Sequence, residues 1–236
     1  MQRYFAQIED MDDIGKVLLY SSKVCAEQGA IRRSYHLTRQ FDAQNSMDTT
    51  IFAHGYRREW LQRYDESDFR KSDPIPDRTM RHGAMLTWAD ARLADFNSQA
   101  NEDYFKAMDE EGLVHGFGLP LFGPRGRDAY ASIDFGKPVG EVCDAALGIV
   151  RAIPQAAHQR VCVLLDTMDD QPSLTERERE VLQWVARGKS FTSIALILDI
   201  SRDTVKTYAR RLYAKLGASD RVGATVKALK LGLVQI

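Results

Sequence analysis

Between residues 129 and 135 polar and apolar side chains alternate. Tyr130, Ser132 and Asp134 fall on one side, and Ala131, Ile133 and Phe135 on the other. That period of two is the mark of a strand with two different faces. Residues 34–37, 50–53 and 117–121 are shorter runs of strand character. Around them, apolar positions return at helical spacing near residues 10–28, 89–111 and 138–159. Helices flanking an antiparallel sheet predict an α+β fold, an α-β-α sandwich. The pattern breaks at residues 166–173, a polar stretch that reads as a linker. It separates a predicted domain over 1–165 from a second over 174–236.

The second domain reads as four short helices and no strand. The first opens at Thr175 with Glu178 three residues on, a capping box in which each side chain satisfies a free backbone donor. Val181, Leu182 and Val185 form its apolar stripe and Gly188 its stop. The next begins near Ser190 and carries Ile194, Ala195 and Leu198. After a short turn at Asp199-Ile200, Ser201 caps a third helix that ends at Gly217. A fourth runs from about Asp220 to Leu231, with Ala224, Ala228 and Leu231 on one side as a candidate pairing face. Two short helices joined by a tight turn predict a helix-turn-helix.

Charge sharpens this picture. The net charge of −1 hides an asymmetry: from residue 172 onward there are 12 Lys+Arg and 6 Asp+Glu, so the basic excess lies wholly in the small second domain. A basic module on an acidic body fits a polyanionic partner. On the third helix Val205, Ala209, Leu212 and Leu216 make a buried face, while Asp203, Lys206, Thr207 and Arg210 face outward. Lys206 and Arg210 are the candidates for base edges, because a cationic side chain in the major groove can bond guanine O6 and N7. Thr192, Ser201, Arg202, Thr204 and Arg211 are placed for phosphates, which fix register without reading sequence.

Other classes of chemistry find little support. Cys25, Cys143 and Cys162 are scattered, with no disulfide framework or zinc spacing. The five histidines have no metal spacing and no orienting acid beside a nucleophile. No phosphate-cradling glycine loop is present, and Gly116-Phe117-Gly118 lacks the third glycine. Neither a secretory leader nor an apolar run near the ~20 residues of a membrane span is evident. The expectation is a cytoplasmic, non-enzymatic protein without metal or cofactor.

The C-terminal wording resembles the LuxR/GerE-type helix-turn-helix. The residues that carry it are Leu174-Thr175 with Glu178, Val181 and Leu182, then Ala186-Arg187-Gly188, Ile194-Ala195, Thr204-Val205-Lys206 and Lys215-Leu216. Tyr208 departs from the pattern, since many members have His there. Such readers are attached to several input domains. A phosphorylated receiver needs an acidic pair after a first apolar strand and an Asp ending a later one. Asp12-Asp13 has no such strand before it.

Residues 1–165 instead resemble the acyl-homoserine lactone-binding domain of LuxR-type quorum-sensing regulators, through Tyr56, Trp60, Tyr64, Asp73-Pro74, Trp88, and Gly116 with Pro120. The resemblance implies a ligand with an amide N–H, two carbonyls and an apolar chain. Asp73 can accept from the amide N–H. The donor-only Trp60 indole suits the lactone carbonyl, and the Tyr64 hydroxyl the acyl carbonyl. Trp88 supplies a wall, Gly116 leaves space, and Ser132 or Asp134 occupies a position where the family often has Ser or Thr. The family further implies a homodimer on pseudo-palindromic double-stranded DNA, with RNA polymerase as a further partner. A regulator that senses another small molecule, or acts as an inhibitory heterodimer partner, would have the same fold.

Overall fold

The computed structural model describes residues 1–37, 49–66, 69–93, 97–168 and 172–234. The chain divides into two compact units, Met1–Thr167 and Met168–Ile236.

Among the described residues of the first unit, five strands form one antiparallel sheet. They are β1 (Arg32–Leu37), β2 (Thr50–His54), β3 (Leu86–Thr87), β4 (Phe117–Leu121) and β5 (Ala129–Asp134), in the order β2-β1-β5-β4-β3. The four strands expected from the sequence are all present. The fifth, β3, has two residues, too few to show any alternation. Among the described residues eight helices accompany the sheet: α1 (Gln2–Glu9), α2 (Ile14–Glu27), α3 (Arg58–Glu66), α4 (Phe69–Ser72), α5 (Ile75–His82), α6 (Trp88–Arg92), α7 (Gln99–Glu110) and α8 (Asp144–Met168).

Local chemistry sets their ends. The Asp13 carboxylate accepts from Lys16 N–H at 2.8 Å and starts α2. The helical span expected over 89–111 is two helices, because Ser98 and Asn101 form a capping box that opens α7 afresh. The span expected over 138–159 begins at 144 and continues to 168, so Asp166, Thr167 and Met168 belong to α8 and not to the linker. Arg127 explains part of that extension: its guanidinium holds the Asp166 carboxylate and donates to the Cys162 carbonyl at 3.2 Å, both on α8.

The alternation in β5 does separate two layers. Ala131 and Ile133 join Phe117 in a core with Val17 and Val24 of α2 and Val150, Ile153 and Val161 of α8. Tyr130 joins Trp60 of α3, Ile75 of α5, Trp88 of α6, and Tyr104 and Met108 of α7. Helices on both faces make the expected α-β-α sandwich.

The second unit holds α9 (Glu176–Ala186), α10 (Phe191–Leu198), α11 (Arg202–Leu216) and α12 (Arg221–Lys230). The Thr175–Glu178 capping box is formed, and Lys215 Nζ lies 2.6 Å from Glu178 Oε2. Burial pushes the Glu178 carboxyl up, but the Lys215 ammonium and Thr175 outweigh it and hold it low. Between α10 and α11 Asp199 takes φ 51°, the sole positive φ at a non-glycine among the described residues. It reverses the chain so that Ser201 can cap α11 through Thr204 N–H at 3.0 Å. Ala224 and Ala228 are completely buried in this unit's own core, and Leu231 packs against it. The pairing face expected on them is therefore occupied internally. What α12 leaves exposed is Val222, Val226 and Leu229, at helical spacing.

Candidate ligand cavity and DNA-reading helix

A cavity lies on the Tyr130 side of the sheet. Six of the eight residues singled out from the sequence line it: Tyr56, Trp60, Tyr64, Asp73, Trp88 and Ser132. They come from distant parts of the chain, and each has a local reason for its place. Trp60 and Tyr64 are four apart on α3, hence on one face. Asp73 precedes α5, where its Oδ1 accepts from Ile75 N–H at 2.9 Å and fixes the carboxylate at the helix start. Trp88 opens α6 behind the cap Thr87, and its backbone N–H donates to the Gly116 carbonyl at 2.9 Å. Ser132 is on the inward face of β5.

Asp73 is the electrostatic centre. It is 5% exposed. The Tyr64 hydroxyl donates to its Oδ2 at 2.9 Å, and Tyr104 also hydrogen-bonds the carboxylate. Burial pushes the Asp73 carboxyl up to about 6, while the bonds from Ile75, Tyr64 and Tyr104 and the charge of Arg78 restrain the rise. A phenol has one proton, so Tyr64 as placed cannot also donate to an acyl carbonyl. Its role shifts to holding Asp73. A second hydroxyl cluster also lines the cavity: Tyr56 hydrogen-bonds with both Ser132 and Ser34. Burial pushes the Tyr56 hydroxyl up to about 12, with those serines opposing the shift, so it remains a neutral donor.

Two expected residues do not line the cavity. Gly116 lies behind Trp88, where a Cβ would come within 2.3 Å of the indole ring atoms. Its lack of a side chain lets the tryptophan seat. Asp134 is fully buried at the end of β5, where Arg32 Nη1 sits 2.6 Å from its Oδ2 and Gly136 N–H donates at 2.6 Å. Charge pairing turns it away, and Ser132 alone of that pair faces the cavity.

Sequence reasoning missed other lining residues, among them Ser34, His36, Tyr104 and Tyr130. Ser34 and His36 alternate within a run already read as a strand, and Tyr130 shares its face with Ser132, so strand periodicity held the signal. Tyr104 sits within a helical stretch whose inward face the sequence did not mark.

In the second unit, Val205, Ala209, Leu212 and Leu216 are buried, as expected for the inner face of α11. Asp203, Lys206, Arg210 and Arg211 are exposed, and Thr207 is half-buried, its hydroxyl donating to the Asp203 carbonyl at 2.9 Å. Lys206 and Arg210 border one shallow depression beside Phe191 and Tyr213. Ser201, Thr204, Thr207 and Arg211 border another, with Tyr208. Thr192 is exposed in the first turn of α10 and Arg202 in that of α11. The cationic groups thus surround the exposed side of one helix.

An aromatic chamber with a buried acid in one unit, and a helix-turn-helix with an exposed basic helix in the other, define a ligand-responsive transcription regulator. Known families agree. Residues 17–161 match the autoinducer binding domain, and residues 172–228 match the bacterial regulatory proteins of the luxR family. The chain is 33% identical over 189 residues to the HTH-type quorum sensing-dependent transcriptional regulator RpaR of Rhodopseudomonas palustris, covering 78% of this chain and 75% of that protein. It is 30% identical over 191 residues to the transcriptional activator VanR of Vibrio anguillarum, covering 78% of each. Its fold superposes on the crystal structure of Escherichia coli SdiA with a TM-score of 0.74 at 18% identity, covering 100% of this chain and 98% of that one. The chain belongs to the LuxR family of quorum-sensing transcriptional regulators. This is a family of regulators, not of enzymes: the first domain takes a small molecule and the second binds DNA. No helix among the described residues is long and apolar enough to cross a membrane.

Proposed function

We propose that residues 1–165 bind an N-acyl-homoserine lactone, and that residues 174–236, paired in a homodimer, read a pseudo-palindromic promoter site. The Asp73 carboxylate carries this reading. An ionised carboxylate has roughly four acceptor sites. Ile75 N–H, Tyr64 and Tyr104 use three of them, so one remains for the amide N–H of a ligand. Burying a carboxylate in an aromatic chamber is costly unless something is gained from it, and a secondary amide supplies the matching donor. The Trp60 indole N–H then meets the lactone carbonyl. Tyr56 and Ser132 meet the acyl carbonyl, the Trp88 ring bounds the lactone, and the apolar chain lies along the remaining wall. The naming of RpaR as quorum sensing-dependent supports a quorum-sensing signal as the ligand.

For the reader domain, Lys206 and Arg210 contact base edges with Thr207 on the same DNA-facing side, while Thr192, Ser201, Arg202, Thr204 and Arg211 contact phosphates. The exposed stripe Val222, Val226 and Leu229 on α12 supports pairing of two copies, which would set two α11 helices about one DNA turn, ~34 Å, apart. RNA polymerase is the partner through which a promoter-bound dimer changes transcription. Native mass spectrometry of the protein expressed in a lactone-producing culture tests the ligand and the dimer together. A dimer carrying one lactone per chain is expected. A ligand-free chain from that culture would count against lactone binding, and a monomer against pairing.

A further inference from the structure

The cavity face of the sheet is arranged in two tiers. In one, Ser34 of β1 stands opposite Ala53 of β2 and Ser132 of β5. In the next, His36 stands opposite Ile51 and Tyr130. Residues two apart on a strand are separated by about 7 Å, so the second tier continues the cavity beyond the hydroxyls assigned to the acyl carbonyl. A wall meant only for a hydrocarbon chain would be apolar there. Instead it carries an imidazole, 4% exposed, packed edge-on to the Tyr130 ring at 5.0 Å.

One ring nitrogen is accounted for: His36 Nε2 lies 3.0 Å from the Ser34 hydroxyl. The other, Nδ1, is buried with no hydrogen-bond partner among the described residues. Buried polar atoms are nearly always paired, so an orphan on a residue that lines a cavity calls for a partner from outside the chain. Burial, together with the charge of Arg70, holds the imidazole pKa down to about 3, so the ring is neutral. A neutral imidazole has one N–H and one lone pair, and the Ser34 hydroxyl can rotate to suit either tautomer. Nδ1 can therefore accept from a hydroxyl or donate to a ketone.

We infer that His36 is a specificity residue, and that the acyl part of the ligand carries an oxygen substituent, hydroxyl or oxo, that hydrogen-bonds His36 Nδ1. This rests on the lactone reading of the cavity and adds the class of acyl chain to it.

Hexanoyl- and octanoyl-homoserine lactones test it, each unsubstituted, 3-oxo, 3-hydroxy and terminally hydroxylated, with Kd measured by calorimetry on the full chain. In the wild type at least one oxygenated lactone should bind about tenfold more tightly than its unsubstituted parent, the scale of one net hydrogen bond. His36→Leu should bring the two to equal affinity by losing the oxygenated ligand's advantage. His36→Asn keeps a donor and an acceptor and should restore part of the preference, which a merely structural role would not do. Wild-type protein that binds lactones but ignores oxygenation overturns this inference and leaves the lactone reading standing. So does a preference that persists in His36→Leu. Failure of every lactone to bind wild type overturns both.

Discussion

The Tyr64 hydroxyl donates to Asp73 Oδ2 at 2.9 Å inside a chamber of aromatic rings. That single bond commits the phenol to the acid and aims the acid at the cavity. Tyr64→Phe should therefore leave a binding site of reduced affinity, because the carboxylate loses one bond that favours its charged form. About a tenfold rise in lactone Kd by calorimetry is expected. An unchanged Kd would show that Tyr64 does not position Asp73.

Asp73 also sets a pH dependence. Its folded pKa of about 6 lies above the ordinary carboxylate value of 3.8. Between those values the folded chain holds a proton that the unfolded chain has released. The stabilisation is full below about pH 4 and is lost as pH rises through 6. In the unliganded protein, Asp73→Asn removes this term. The mutant's unfolding free energy minus that of wild type should rise from pH 4 to 6, by up to about 1.4 kcal/mol per pH unit. Urea titrations across that range measure it, and a flat difference would mean that the folded-state pKa is ordinary.

Gly116 and Trp88 give a packing test. A methyl at Gly116 meets the indole, so Gly116→Ala must displace it. Overpacking of this kind costs about 1–3 kcal/mol. Melting temperature and lactone response should fall together. A variant that melts normally and binds normally would mean that the Trp88 ring has room to shift.

Arg32 and Asp134 separate stability from binding. Arg32→Ala leaves a fully buried carboxylate without its cation, at a cost of about 3 kcal/mol. Neither residue lines the cavity, so the rise in melting temperature that a lactone produces should survive. Loss of that response in a folded variant would put the ion pair in the site after all.

On DNA, Arg210→Ala should cost roughly 1–3 kcal/mol at the specific site and relax preference at one base pair. Arg211→Ala should weaken all sequences alike and lower the salt slope by about one. Competition binding with single-base variants distinguishes them. A uniform loss for Arg210→Ala would remove it from base reading.

Periodicity made the sheet and the reader domain legible. Ser201, Gly188 and the Thr175–Glu178 box are local stop and start signals that act within one turn, so their helices could be read closely. Helices α3 to α5 were not read, because they are short and polar, held in place by what Trp60 and Ile75 bury against the sheet and not by their own propensity. The cavity residues of α3 and α6, and Asp73 just before α5, were recognisable only through the family's spacing. Asp134 shows where periodicity alone misleads: it shares a face with Ser132, yet an arginine across the strand pair takes it. His36 and Tyr104 escaped because nothing in the sequence says which half of an amphipathic element meets empty space.

The most direct measurement is a thermal melt of wild type and Asp73→Asn over a lactone titration. Wild-type melting temperature should climb with the logarithm of ligand concentration above Kd, and the substituted protein should show less than half that rise. Equal rises in the two proteins would mean that the buried acid does not hold the ligand.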